Sequence, residues 1–256
     1  MDIGQLYSKG TNISFLSANG LCSFNSEFEN IFNGGMLYTC GLDTVGGRKL
    51  PIHGAVHNIP ANIISCKCDE EGIEVKGEIY QTSLFGDKFK LIRTISTKAN
   101  SPTLEISDKI TNMGHKEGEY CVLYHTNIGY PMLDEGVEIV APITSTKART
   151  DYAKSGIKNC LVMDEPQPNN EECVFYHTIQ EGDIKVINKK LNKVFRMQFD
   201  SNKLPHFIEW KSMVSGAYAL GIEPATTTLD DDFVTNKLSP QESQNISIKI
   251  TVEDLV

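Results

Sequence analysis

Period-two alternation of apolar and polar residues recurs along most of this sequence. It confines the chain to sheet structure, because successive side chains of a strand point to opposite faces. Ile73, Val75 and Ile79 alternate with Glu74, Lys76 and Glu78, and Leu104, Ile106 and Ile110 alternate with polar partners. Leu191, Phe195, Met197 and Phe199 flank Val194, Arg196 and Gln198, and Ile246, Ile248, Ile250 and Val252 close the chain in the same way. Clusters of turn residues, such as Asn112 to Gly114, Pro166 to Asn170 and Leu229 to Asp232, separate the runs. Helical periodicity is nearly absent; the best candidate is a short turn around Phe28, Ile31 and Phe32, with Ser26 as its N-cap and Asn33-Gly34-Gly35 as its stop. Many strands with few helices predict an all-β, antiparallel β-sandwich or barrel. No repeat or shift of composition marks a boundary, so residues 1–256 read as a single domain.

Charge narrows the partners. With 24 Lys and Arg against 33 Asp and Glu, the net charge of −9 repels phosphate backbones and anionic lipid, which argues against nucleic acid and membrane surfaces as partners. The first residues lack a basic stretch followed by an apolar run, and no long apolar segment occurs, so the reading is a cytoplasmic protein. Seven dispersed cysteines, an odd number, fit reduced thiols better than a disulfide framework.

Three segments concentrate unusual residues. The first, 34–61, holds six glycines, two histidines and the polar side chains Asp43, Arg48 and Asn58, which are candidate binding groups on a loop. His53 and His57 stand four apart, a ligand spacing only on a helix, and Gly54, Pro51 and Pro60 oppose a helix there. The second is Tyr120 to Pro131: read as a strand, it puts Cys121, Leu123, His125 and Asn127 on one face and Val122, Tyr124 and Thr126 on the other. The third is Ser215 to Thr228. There Tyr218, Leu220 and Ile222 face one layer, while Ala217, Ala219, Gly221 and Glu223 form a nearly bulk-free face that ends in a carboxylate and leaves room for a ligand. Upstream, His206, Ile208 and Trp210 share a strand face, and Trp210 could stack on a sugar or fill a core. Cys66-Lys-Cys68 lacks a second pair and is weak as a metal motif; Asp230 to Asp232 reads as a solvated turn.

The segments GGMLYTCGLD (34–43), LPIHGAVHNIPA (50–61), LIRTIS (91–96), LYHTNIGYP (123–131) and LGIEPAT (220–226), in that order, resemble the galactose-mutarotase-like, or aldose 1-epimerase-like, superfamily, in a branch carried as a domain of unknown function. The resemblance implies a large antiparallel sandwich that works on a small-molecule sugar without metal or other cofactor. It implies His53, His125 and Glu223 as catalytic groups: Glu223 as base at the C1 hydroxyl, a protonated His125 as acid at the ring oxygen, and His53 hydrogen-bonding nearby oxygen. Asp43, Arg48, Asn58, Arg93, Asn127 and Trp210 are the expected substrate-binding residues. Relatives usually carry further strands and an arginine ahead of the segment resembling MDIGQLYSKG, and an arginine after the HG, where Ala55 stands here. A single domain lacking those strands is therefore expected, with Arg48 or Arg93 compensating and a homo-oligomer possible. Arg48, Arg93 and Arg149 are also candidates for reading an anionic substituent. Two rival readings stand beside the isomerase: a non-catalytic sugar-binding module or sensor, and a metal-dependent isomerase or lyase using His53, His57, His125 and Glu223.

Overall fold

The computed structural model describes residues 1–19, 28–49, 51–230 and 233–255. Two short strands, β1 (Tyr7–Ser8) and β2 (Thr11–Asn12), and a one-turn helix, α1 (Phe28–Ile31), precede β3 (Tyr38–Leu42). Four strands follow a 3-10 turn at Val56–Asn58: β4 (Asn62–Cys68), β5 (Gly72–Thr82), β6 (Lys88–Lys98) and β7 (Thr103–Asn112). Next come β8 (Gly118–Ile128), β9 (Glu138–Val140), β10 (Ile143–Ala148), α2 (Asp151–Gly156) and a second 3-10 turn. The chain ends through β11 (Cys173–Ile179), β12 (Gly182–Asn188), β13 (Lys193–Phe199), β14 (His206–Val214), β15 (Ala217–Ala225), β16 (Asn236–Leu238) and β17 (Ser243–Asp254).

These strands build two antiparallel sheets, as the alternation predicts. One runs β10-β11-β14-β15-β8-β16, with β3 also paired to β8; the other runs β4-β5-β6-β7-β17-β13-β12-β9. Their facing sides form the main core, where Val122, Tyr124, Phe207, Leu220 and Ile222 meet Leu91, Ile106, Ile110, Phe195, Ile248 and Ile250. The outer face of the seven-stranded sheet carries a second cluster, made of Tyr38, Cys40, Cys121, Leu123, Val174, Ile208 and Ala225, with Phe28, Phe32 and Trp210 laid against it. That second cluster is the floor of the candidate site.

The short turn at Phe28 forms as expected; its proposed cap, Ser26, lies outside the described residues. Helix α2 was not foreseen. Its signal is local: the Thr150 hydroxyl accepts the Ala153 N–H at 3.1 Å, and Asp151 opens the first turn beside the helix's positive end. All the described cysteines are free thiols, and Cys66 and Cys68 lie exposed on the edge strand β4. No described helix is long and apolar enough to cross a membrane.

Arg93 is taken up by the fold. It lies between Leu91 and Ile95 on the inward face of β6, opposite Asp108 on β7. Its Nε and Nη2 donate to the two Asp108 oxygens at 2.8 and 2.6 Å, and Nη1 donates to Asp2 Oδ1 and Thr39 Oγ1 at 2.6 and 2.8 Å. The Tyr124 hydroxyl completes the Asp108 carboxylate at 2.8 Å. The network locks β6, β7, β8, β3 and the first residues of the chain together, and Arg93 is not among the residues lining the site described next.

Candidate active site

His125 and Glu223 come from neighbouring antiparallel strands. Gly221 pairs with Asn127 and Ile222 with Thr126, so the register brings the Glu223 side chain beside that of His125 on the outer face. His125 Nε2 and Glu223 Oε1 lie 3.1 Å apart, both nearly inaccessible to solvent. Glu223 Oε1 makes no aligned hydrogen bond within the protein, although it is buried. A buried acceptor without a partner is rare and points to a group the protein itself does not supply.

Gly221 makes this approach possible. A Cβ there would collide with Glu223 Oε1 and would sit 3.0 Å from Trp210 Cβ and 3.2 Å from His125 Cε1. The small-residue face read from the sequence is therefore the space that the histidine and the carboxylate occupy.

His53 arrives on the loop after β3. Its N–H donates to Gly46 O at 2.8 Å, its carbonyl accepts the Gly41 N–H at 2.9 Å, and its Nδ1 accepts the Gly46 N–H at 3.3 Å. With Nδ1 acting as an acceptor, the ring proton sits on Nε2, which makes that nitrogen a donor. The backbone holds His53 at φ 63°, in the left-handed region that few non-glycine residues adopt, and Gly54 follows at φ 77° with Gly41 O and Thr44 O packed where a Cβ would go. The HG motif is thus a turn pressed onto β3 that aims one imidazole at another: the His53 and His125 ring centres are 5.9 Å apart.

These groups line one cleft of about 370 Å³, walled by Phe28, Phe32, Ile52, Trp210 and Leu229. The Trp210 ring centre is 5.4 Å from that of His125, and its Nε1–H donates to Glu172 at 2.8 Å on the rim. Arg149 also lines the cleft, with Nε bound to the Asp230 carboxylate. Burial pushes the Glu223 carboxyl well above its ordinary range and the His125 imidazole well below its own. Burial, then the neighbouring His57, lowers His53 to about 4. Both shifts favour the uncharged forms and run against the ionised split that unperturbed values allow.

Other expected groups lie elsewhere. Asn127 Nδ2 donates to Gly35 O and His125 O, bracing the strand end from within. Asp43 accepts from Gln81 and faces Lys49, while exposed Arg48 donates to the Asp230 carbonyl and stacks on Phe233. Asn58 borders a neighbouring hollow with His57 and Tyr38, whose rings stack 4.1 Å apart. The set His53, His57, His125 and Glu223 does not converge as a metal centre among the described residues. Asp230, expected in a solvated turn, holds Arg149 and the Tyr176 hydroxyl; Asp231 and Asp232 lie outside the described residues. Glu172 had no signal in the sequence, because a loop brings it to the rim.

His57 gives a prediction of its own. Burial lowers its ring to about 4, whereas an unfolded imidazole takes its proton near 6.5. Between those values the unfolded chain binds the extra proton, so the ring's contribution is present above pH 6.5 and is lost as pH falls towards 4. Urea titrations of His57→Gln beside wild type should show the wild type losing up to about 3 kcal/mol relative to the variant across that window. Parallel curves would refute it.

A family model described as a domain of unknown function, DUF4432, matches residues 1–252. The chain belongs to this family. No curated protein matches the sequence. Among solved structures, a candidate aldose 1-epimerase from Klebsiella pneumoniae is similar over 99% of this chain and 74% of its own, at TM-score 0.89 and 24% identity. A galactose mutarotase-like protein from Clostridium acetobutylicum is similar over 99% and 90%, at TM-score 0.74 and 15% identity. A galactose mutarotase-like protein from Lactobacillus casei covers 99% and 100%, at TM-score 0.61 and 12% identity. At these identities the likeness is one of fold, and this DUF4432 chain has the mutarotase-like sandwich.

Proposed function

We propose that the cleft interconverts the α and β anomers of an aldose by general acid/base ring opening. The observation that carries this reading is the buried His125 and Glu223 pair, 3.1 Å apart, with a carboxyl oxygen left without an aligned hydrogen bond in a cleft of sugar size. Opening a pyranose takes a proton from the C1 hydroxyl and gives one to the ring oxygen; closure on the other face reverses both transfers. A pair holding one proton supplies an acid and a base together. Burial favours the uncharged forms, so Glu223 as the acid and His125 Nε2 as the base open the ring, the reverse of the assignment the resemblance implies, and the roles exchange on closure. The Nε2–H of His53 stabilises developing charge on a sugar oxygen, and Trp210 offers an apolar wall to a sugar face.

Among the described residues, Glu29 and Glu172 line the cleft with one arginine, Arg149, which Asp230 already engages, and this favours a neutral aldose over an anionic one. Magnetisation-exchange NMR between anomers, across neutral, acidic and phosphorylated aldoses, tests the reading. Accelerated exchange for at least one sugar is expected, and binding without acceleration would select the non-catalytic module. Gly221→Ala, which pushes the Glu223 carboxyl aside and presses on Trp210 Cβ, should cost about 100-fold in exchange and lower the melting transition modestly; full activity in that variant would detach Glu223 from the chemistry.

A further inference from the structure

A second polar cluster lies on the other side of the same sheet. Phe207, Glu209, Lys211 and Met213 of β14 alternate towards the interior, as do Cys173, Phe175 and His177 of β11, and the connection after α2 lays Cys160 over them. Cys160, His177 and Glu209 are all buried, and their Sγ, imidazole nitrogen and carboxylate oxygen lie within 4.8 Å of one another. The proposed sugar chemistry uses none of them.

Their hydrogen bonding leaves a position for a cation. His177 Nδ1 is 2.9 Å from Thr146 Oγ1, and Nε2 is 2.9 Å from Glu209 Oε2. When Nδ1–H donates to Thr146, Nε2 presents a lone pair to a carboxylate oxygen, and two acceptors at that distance require a proton or a metal ion between them. Glu209 Oε1 is buried with no partner at all. We propose that Cys160, His177 and Glu209 form a buried site for one divalent ion of zinc type, which ties the α2 connection to the sheet.

The ligand set suits zinc: thiolate, imidazole and carboxylate, with the second oxygen of Glu209 or a water as the fourth donor. Zinc-ligand lengths near 2.0 to 2.3 Å place ligand atoms about 3.5 Å apart, so the widest separation in the cluster has to shrink by about 1 Å while His177 Nε2 and Glu209 Oε2 spread from 2.9 Å. One divalent ion with one thiolate, one carboxylate and a neutral imidazole is uncharged overall, which a dry interior accepts; binding displaces the thiol proton and the proton between His177 and Glu209. Lys211, the nearby cation, is turned to Val162 O at 2.6 Å and Asp164 at 3.3 Å. Thr146 is a positioning residue whose hydroxyl hydrogen-bonds Nδ1 and orients the ring.

The test uses full-length protein, stripped by chelator, in a Cys66→Ser/Cys68→Ser background that removes the exposed thiols of β4. Cobalt(II) should give a thiolate-to-cobalt charge-transfer band that saturates at one equivalent and is displaced by zinc. Cys160→Ser should abolish the band. Thr146→Val, which alters only a half-buried partner of the ring, should weaken cobalt binding by about 10 to 100-fold while keeping the band. No band in the folded background protein, or a band that survives Cys160→Ser, overturns the proposal whether or not every variant folds.

Discussion

Glu223→Gln should lower protein-accelerated anomer exchange by about 10²- to 10⁴-fold while leaving the fold intact. The amide has nearly the shape of the carboxyl but can neither give nor take a proton at ring opening. Burial disfavours the charged form of Glu223, so a neutral amide suits a side chain that solvent barely reaches. The melting transition should therefore stay close to wild type. Sugar binding should persist, visible as line broadening without exchange. Full exchange in this variant would remove Glu223 from the reaction; loss of binding and exchange together, with an altered melt, would show that the residue serves the architecture instead.

Arg93→Met should destabilise the protein by about 3–5 kcal/mol, the cost of leaving a buried carboxylate without its partner. Asp108 is enclosed, and after the substitution only the Tyr124 hydroxyl would remain on it. The loss is in the stranded charge rather than in the missing attraction, so Arg93→Met/Asp108→Leu should recover a large part of it, and the non-additivity measures the pair. Urea denaturation of the two variants checks both statements. A loss under about 1 kcal/mol for the single variant would place the network among the weak ion pairs typical of surfaces.

In the alternating segments the faces are legible: Cys121, Leu123 and His125 on one side of β8, Tyr218, Leu220 and Ile222 on one side of β15, and the bare row ending at Glu223. Period two is a local property, so a strand carries it whole. Arg93 was equally visible in retrospect, because LIRTIS places a charge at an inward position between Leu91 and Ile95, and β7 does the same with Asp108 between Ile106 and Ile110. Two inward charges on consecutive strands signal a buried pair before they signal a ligand site. Glu172 left no signal, and neither did the pairing of Arg149 with Asp230, since these residues meet through loops whose geometry depends on contacts far away in the chain. The ionisation of the pair was likewise hidden: residue type gives an unperturbed value, and burial, which only the folded sheet supplies, moves both groups in opposite senses.

The pairing of β8 with β15 also sets when the site can exist. Its two strands are separated in sequence by the whole segment that forms β9 to β14, whereas β4 to β7 is a meander of immediate neighbours. During synthesis the meander can pair as it emerges, yet its last strand must wait for β17 at the chain's end. His125 is made early and stands beside an absent neighbour until β15 has left the ribosome. Whatever the cleft does, a nascent or truncated chain ending before Ala225 cannot do it, and activity is a sensitive reporter of complete sheet closure.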